Sequence, residues 1–247
     1  MTTPSHPPLN PQAWLALQPL EENQRLYLII SAASDADALT ALRLAEPALA
    51  LSPLWNDTPY AAWQSVMPYV AELQPGSAFL PWVAETCALD WGWLAVSRSD
   101  PDTVAKHLRS LTQVKMPDGT AVFFRFWDGR HILPVLETPG GTAAEVLPIF
   151  ERYLINGKAL EFAPGKTSMA KQSPWWEVPK ALLETLTRQN PSTQAAQLMQ
   201  WLEEERLDLY TAWPEKNLEL KITRFLRRSH GKENLHEALL NQLREQG

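Results

Sequence analysis

The sequence predicts a mixed α/β (α+β) protein, with an N-terminal lobe built on a mixed sheet flanked by helices and an all-helical C-terminal lobe. Three observations lead there. Up to about residue 160, short apolar runs rich in β-forming residues alternate with helical segments. From residue 177 onward, apolar residues recur only at helical spacing. Between the two lies "APGKTSMAKQSPWW" (163–176), small, polar and Pro-containing, which reads as a linker. The expected division is a mobile Pro-rich arm over 1–22, an α/β lobe over 23–162, the linker, and a helical lobe over 177–247.

Within the first lobe, "RLYLIISAA" (25–33) reads as a buried strand, and Ser34 or Asp35 as the cap of a helix carrying Leu39, Leu42 and Ala45 on one face. A short helix then runs into a strand from Tyr69 to Leu73; Pro75-Gly76 turns the chain, and Ser77 caps a helix reaching Ala88. "DWGWLAVSR" (90–98) is the next strand. Asp100 is an N-cap followed by Pro101 in the first helical position, where its missing N–H costs nothing; Val104, Leu108 and Leu111 form the buried stripe, with His107 beside them.

Pro117-Asp118-Gly119 signals a hairpin whose second arm places Val122, Phe124 and Phe126 on one face and Ala121, Phe123, Arg125 and Trp127 on the other. Both faces are apolar except at Arg125, the pattern of a central strand covered on both sides. Helices near 130–136 and 142–152 precede a second hairpin at Asn156-Gly157. In the helical lobe, Leu182, Leu183 and Leu186 mark one helix, which Asn190-Pro191 breaks. Ala195, Leu198, Met199 and Leu202, then Leu218, Ile222, Phe225 and Leu226, then Leu235, Leu239 and Leu243 mark three more. No repeat of constant period appears.

Composition narrows the function. The 247 residues are 45% hydrophobic and 20% charged with a formal charge of −6, which argues against general nucleic-acid binding. Cys87 is the single cysteine, no secretory signal or membrane-length apolar run is present, and a reducing, cytoplasmic setting is expected. With 10 Gly the chain offers neither a GxGxxG nor a GxxxxGK[ST] loop, so no nucleotide or other cofactor is indicated. The 11 Trp suit large recognition surfaces, although core filling accounts for most of them.

Catalytic combinations are weak. Ser97, His107 and Asp128 supply the residue types of a triad, but no GxSxG elbow surrounds any Ser. Cys87 sits in an apolar context without a basic neighbour and reads as a buried, inert thiol. The five His lack HxxxH or HxH spacing, so no metal site is indicated. Asp100/Asp102 belong to a helix cap and Glu203 to Glu205 to a solvated face. The segment 215–232, with six Lys/Arg against two Glu, reads as the solvated face of a packed helix in preference to a contact for nucleic acid or anionic lipid.

Arg125 is the sharper feature, one cation amid "VFFRFWD". By strand parity Asp128 falls on the opposite face unless a bend at the strand end intervenes, so the expected partner of Arg125 comes from another element, and its expected role is structural. Arg125→Ala is therefore expected to lower stability as well as binding, and Trp176→Ala to spare stability.

The segment "KHLRSLTQVKMPDGTAVFFRFWDGR" resembles the signature of a domain-of-unknown-function family associated with type VI secretion: H-L-R, a strand, P-D-G, then F-R-F-aromatic-D followed closely by Arg. It maps onto His107, Leu108, Arg109, Pro117, Asp118, Gly119, Phe124, Arg125, Phe126, Trp127, Asp128 and Arg130. "LYLIISAA", "PLW", the segment from Pro68 to Val70 and "DWGWLAVSRSD" fit as well, so the resemblance spans roughly 25–137. The chain departs from the pattern at Ser31, where an acidic residue is expected, and at Gly129, where Pro is expected. The family is similar to adaptor chaperones that bind a toxic effector and load it onto the valine-glycine-repeat spike. The resemblance implies recognition without catalysis, with a cognate effector and the spike protein as partners and no nucleic acid or membrane. It makes His107, Arg109, Arg125, Asp128 and Arg130 the ordering residues. Trp55, Trp127, Trp175 and Trp176, at element ends or in the linker, are the candidate exposed anchors for effector. The alternative is an enzyme, a hydrolase, acting in the same system.

Overall fold

The computed structural model describes residues 8–138, 142–163, 172–189, 191–228 and 235–245. The chain forms two compact units, 1–179 and 180–247. The first is built on six strands: β1 (Arg25–Ser31), β2 (Ser52–Pro53), β3 (Pro68–Leu73), β4 (Gly92–Ser97), β7 (Arg152–Ile155) and β8 (Lys158–Glu161), in the order β2-β3-β1-β4-β7-β8. A separate hairpin pairs β5 (Gln113–Lys115) with β6 (Ala121–Phe123). The α+β class agrees with the sequence. The sheet differs from the mixed one expected, since every ladder in it is antiparallel.

β1 and β4 are central, and their apolar runs are buried on both faces. In register, Leu26, Leu28 and Ile30 join Leu94, Val96 and Leu154 on one face. There they meet α1 (Pro11–Leu17), α2 (Ala38–Ala45) and α3 (Leu80–Glu85) through Trp14, Leu15, Leu42, Leu80 and Val83. On the alternate positions Tyr27, Trp93 and Tyr153 gather around Phe150, with ring centroids 5.6–6.2 Å apart. Tyr153 donates to Leu147 O and Tyr27 to Ser99 O, so each buried phenol is partnered. Burial pushes both phenols well above their ordinary pKa.

Two helices follow the sequence patterns closely. In α4 (Pro101–Ser110), Asp100 accepts from Thr103 N as N-cap, and Val104 and Leu108 are buried. α5 (Gly129–Glu137) is capped by Asp128. α6 (Thr142–Val146) is shorter than expected, because the chain enters β7 at Arg152. The Asn156-Gly157 hairpin joins β7 to β8, with φ of 51° and 73° at the turn.

Several expectations change. The arm expected to be mobile folds from Pro11 as α1, because Trp14 and Leu15 find apolar cover on the sheet; residues 1–7 lie outside the described residues. The α2 cap is Asp37, since Ser34 and Asp35 form a preceding turn in which Asp35 N is held by Asp90. α3 ends at Glu85, leaving Cys87 exposed, not buried. Of the expected linker, 164–171 lie outside the described residues; at its end Lys115 N donates to Trp176 O and Val178 N to Lys115 O, fastening 176–178 along β5. The first unit therefore extends to Pro179.

The second unit contains α7 (Lys180–Gln189), α8 (Pro191–Glu205), α9 (Leu207–Tyr210), α10 (Glu215–Arg228) and α11 (Leu235–Glu245). Ala195, Leu198 and Leu202 of α8 pack with Leu218, Ile222, Phe225 and Leu226 of α10 and Leu239 and Leu243 of α11, as the apolar stripes require. On the basic helix α10, Lys221 lies over the Trp213 ring, 4.0 Å from its centroid. No helix among the described residues is long and apolar enough to cross a membrane.

Gly129 opens α5 where a Cβ would stand 2.9 Å from Leu89 O and 2.8 Å from the Asn156 side chain. Backbone cannot yield as a flexible side chain can. Gly129→Ala is expected to destabilise the protein by roughly 1–3 kcal/mol, measured as a lower urea midpoint with unchanged slope.

A candidate protein-binding face

The "FRFWD" run is a turn, not a central strand. β6 ends at Phe123, Phe124 N donates to Thr112 O, and Asp128 N donates to Arg125 O, closing a tight reversal. Strand parity does not survive such a turn, so Arg125 and Asp128 meet after all, at 3.2 Å. Their burial is the reverse of the expectation. The Arg125 side chain is 47% exposed, and it is the Asp128 carboxylate that is buried, at 1%.

Asp128 Oδ1 accepts from Arg130 N (2.9 Å) and Arg130 Nε (3.0 Å), while Oδ2 accepts from Arg130 Nη2 (2.7 Å) and Arg125 Nη2 (3.2 Å). His131 Nε2 lies 3.7 Å away. Arg130 also faces Asp90 at 3.7 Å, and Asp90 accepts from Asp35 N. Burial by itself raises a carboxyl pKa; the hydrogen bonds from the Arg130 side chain and backbone outweigh it and hold Asp128 below its ordinary value. Burial lowers the His131 pKa despite the neighbouring carboxylate.

The two residues between Arg125 and Asp128 carry this anchor in two directions. Phe126 is fully buried, and its carbonyl accepts from Trp93 Nε1 of β4 (2.8 Å). Trp127 packs edge-on against Trp55, 5.4 Å between centroids. Trp55 Nε1 donates to Thr112 Oγ1. Over Trp55 lie Tyr60, Trp63 and Phe123, with mutual centroid distances of 4.9–5.5 Å. Trp63 is 47% and Phe123 39% exposed, so a buried Trp pair supports an aromatic face open to solvent. Tyr60 also lines a cleft of about 630 Å³ with Asp57, Lys106, Arg109, Ser110 and Gln172.

The H-L-R residues border this region. Arg109 Nε donates to Leu54 O (2.7 Å), tying α4 to the "PLW" loop. His107 is buried, with Nε2 2.8 Å from Val146 O, and Leu108 is in the core. Ser97 Oγ donates to Ile149 O, His107 is held by Val146 O and Asp128 by Arg130, so among the described residues the three form no hydrogen-bonded relay with one another. Among the described residues no group of three or more His, Cys, Asp and Glu side chains is placed to hold a metal ion.

Three of the four tryptophans expected as exposed anchors are buried: Trp55, Trp127 and Trp176. The sequence places them at element ends or in the linker, but folding covers them with other rings; Trp176 packs on Phe124 at 5.7 Å. Trp175 is half-buried and donates from Nε1 to Ser110 Oγ. The exposed rings, Trp63 and Phe123, were missed because nothing local distinguishes an exposed ring from a core one. Among the residues whose burial is described, the one buried arginine is Arg152, which donates from Nη1 to Gln18 O and lies over Trp14, while its Nε and Nη2 lack a partner among the described residues.

Three outcomes follow from this geometry. Trp176→Ala is expected to cost about 3–5 kcal/mol of stability. Arg125→Ala is expected to stay within about 1 kcal/mol of wild type, because its guanidinium is half exposed and Arg130 still holds Asp128; chemical denaturation of the two variants checks the order. With its folded pKa lowered, Asp128 contributes stability that is complete above its unfolded pKa of about 3.9 and is lost as pH falls through the folded value. Stability measured from pH 5 downward should therefore fall, and Asp128→Asn should flatten that fall.

Residues 26–144 match the family model described as Domain of unknown function (DUF4123). The chain is 27% identical over 128 residues to "Accessory protein VasW" of Vibrio cholerae serotype O1 (strain ATCC 39315 / El Tor Inaba N16961), covering 51% of this chain and 43% of that protein. The chain thus spans less than half the length of this curated relative. No solved structure matches. The span similar to the DUF4123 family is the part of the first unit that carries the H-L-R helix, the Asp128 turn and the exposed rings.

Proposed function

We propose that this chain is an adaptor chaperone of a type VI secretion system, which binds a cognate toxin effector in the cytoplasm and helps load it onto the valine-glycine-repeat spike. It acts by recognition, without catalysis or cofactor. The observation that carries this reading is the coincidence of the DUF4123 match over 26–144 with an exposed aromatic face inside that span. The similarity to an accessory protein supports it. Exposed Trp, Tyr and Phe held by a packed base are the residues that anchor protein interfaces, because they bury much apolar area with little loss of side-chain freedom. A specific interface of about 1,600 Å² in total is larger than this face and would extend onto its surroundings.

The test is affinity capture of the tagged chain from the native host's cytoplasm while the secretion system is expressed, with co-purifying proteins identified by mass spectrometry. Recovery of one large toxin-like protein, with or without a spike protein, is the expected result. Nothing above background overturns the reading.

A further inference from the structure

The adaptor reading leaves open what kind of segment the exposed face accepts, and the chemistry of the cleft beside it narrows the answer. Trp63 and Phe123 stand 5.5 Å apart, fixed from below by Trp55, and offer an apolar platform. Tyr60 connects that platform to the cleft, whose charged lining is Lys106, Arg109 and Asp57. Lys106, on the exposed side of α4, has no ion-pair partner among the described residues. Arg109 uses Nε on Leu54 O, and its Nη atoms make no hydrogen bond among them. Among its described lining residues the cleft thus has two cations against one carboxylate, opposite in sign to the chain's net charge of −6.

Resting on the adaptor reading, we propose that this face takes an acidic peptide segment of the partner protein. An apolar side chain of the segment lies on Tyr60, Trp63 and Phe123, and a neighbouring carboxylate reaches Lys106 and Arg109 in the cleft. The rings supply affinity by desolvation; the two cations set the register and reject basic segments, where like charges would be forced together. The guanidinium of Arg109 is held by the Leu54 carbonyl, so less side-chain freedom is lost on binding than at a mobile arginine.

The probe is a phage-displayed library of random dodecapeptides selected on the immobilised full chain. The expected result is enrichment of peptides with Asp or Glu within two residues of Trp, Phe or Leu. Trp63→Ala and Lys106→Glu should each weaken the enriched peptides by about tenfold or more, and about 0.5 M NaCl should weaken them further. Both side chains are exposed, so unchanged melting curves separate loss of binding from loss of fold. Absence of enrichment, enrichment without acidic residues, or peptide affinity unmoved by either substitution overturns the proposal. Any of these together with effector capture in the preceding experiment removes this site and leaves the adaptor function; an acidic consensus without effector capture keeps the site and removes the function.

Discussion

The buried carboxylate of Asp128 is the constraint on which the functional part of the first unit depends. An ionised group removed from water is tolerated only when its lone pairs are met, and here Arg130 meets both oxygens while Arg125 adds a further donor. The same carboxylate caps α5, so one residue ends the turn, starts the helix and fixes two arginines. Phe126 and Trp127, just before it, are thereby held in opposite settings, one hydrogen-bonded to the sheet through Trp93 and the other under the aromatic face through Trp55. The arginines remain half exposed because their function in this network is to satisfy the carboxylate from the solvent side.

This arrangement explains how a face of exposed rings persists in a folded protein. Left alone, Trp63 and Phe123 would gain by collapsing inward, but the space beneath them is already filled by Trp55 and Trp127. Tight packing below turns the outer rings into a rigid platform. α4 contributes from the other side: Arg109 ties it to the loop before Trp55, and Thr112, just past its end, accepts the Trp55 indole N–H. The H-L-R helix and the Asp128 turn, far apart in the pattern that links them, thus converge on the same tryptophan.

Much of the fold was legible locally. The Asp100-Pro101 start of α4, the Asn156-Gly157 hairpin and the three apolar stripes of α8, α10 and α11 each follow from backbone preferences or periodicity that act within a few residues. The misread segments share one cause, which is that their outcome depends on a distant partner. Trp14 turned an expected arm into a helix because the sheet offered it cover. Trp176 of the expected linker and 177–178 of the expected helical lobe joined the first unit because β5 had an unpaired edge. The "FRFWD" run looked like a two-sided strand, yet Thr112 holds its first amide and Trp93 of β4 donates to the Phe126 carbonyl, so the chain turns there.

The sequence by itself determined the α+β class and the helical second unit, because propensity, capping and apolar period are short-range properties. Only the tertiary structure decided which charge is buried and which aromatic rings reach solvent. Burial depends on how many other groups arrive at a position from elsewhere in the chain. Asp128, Trp127 and Trp176 are covered by such arrivals, while Arg125, Trp63 and Phe123 are left at the surface.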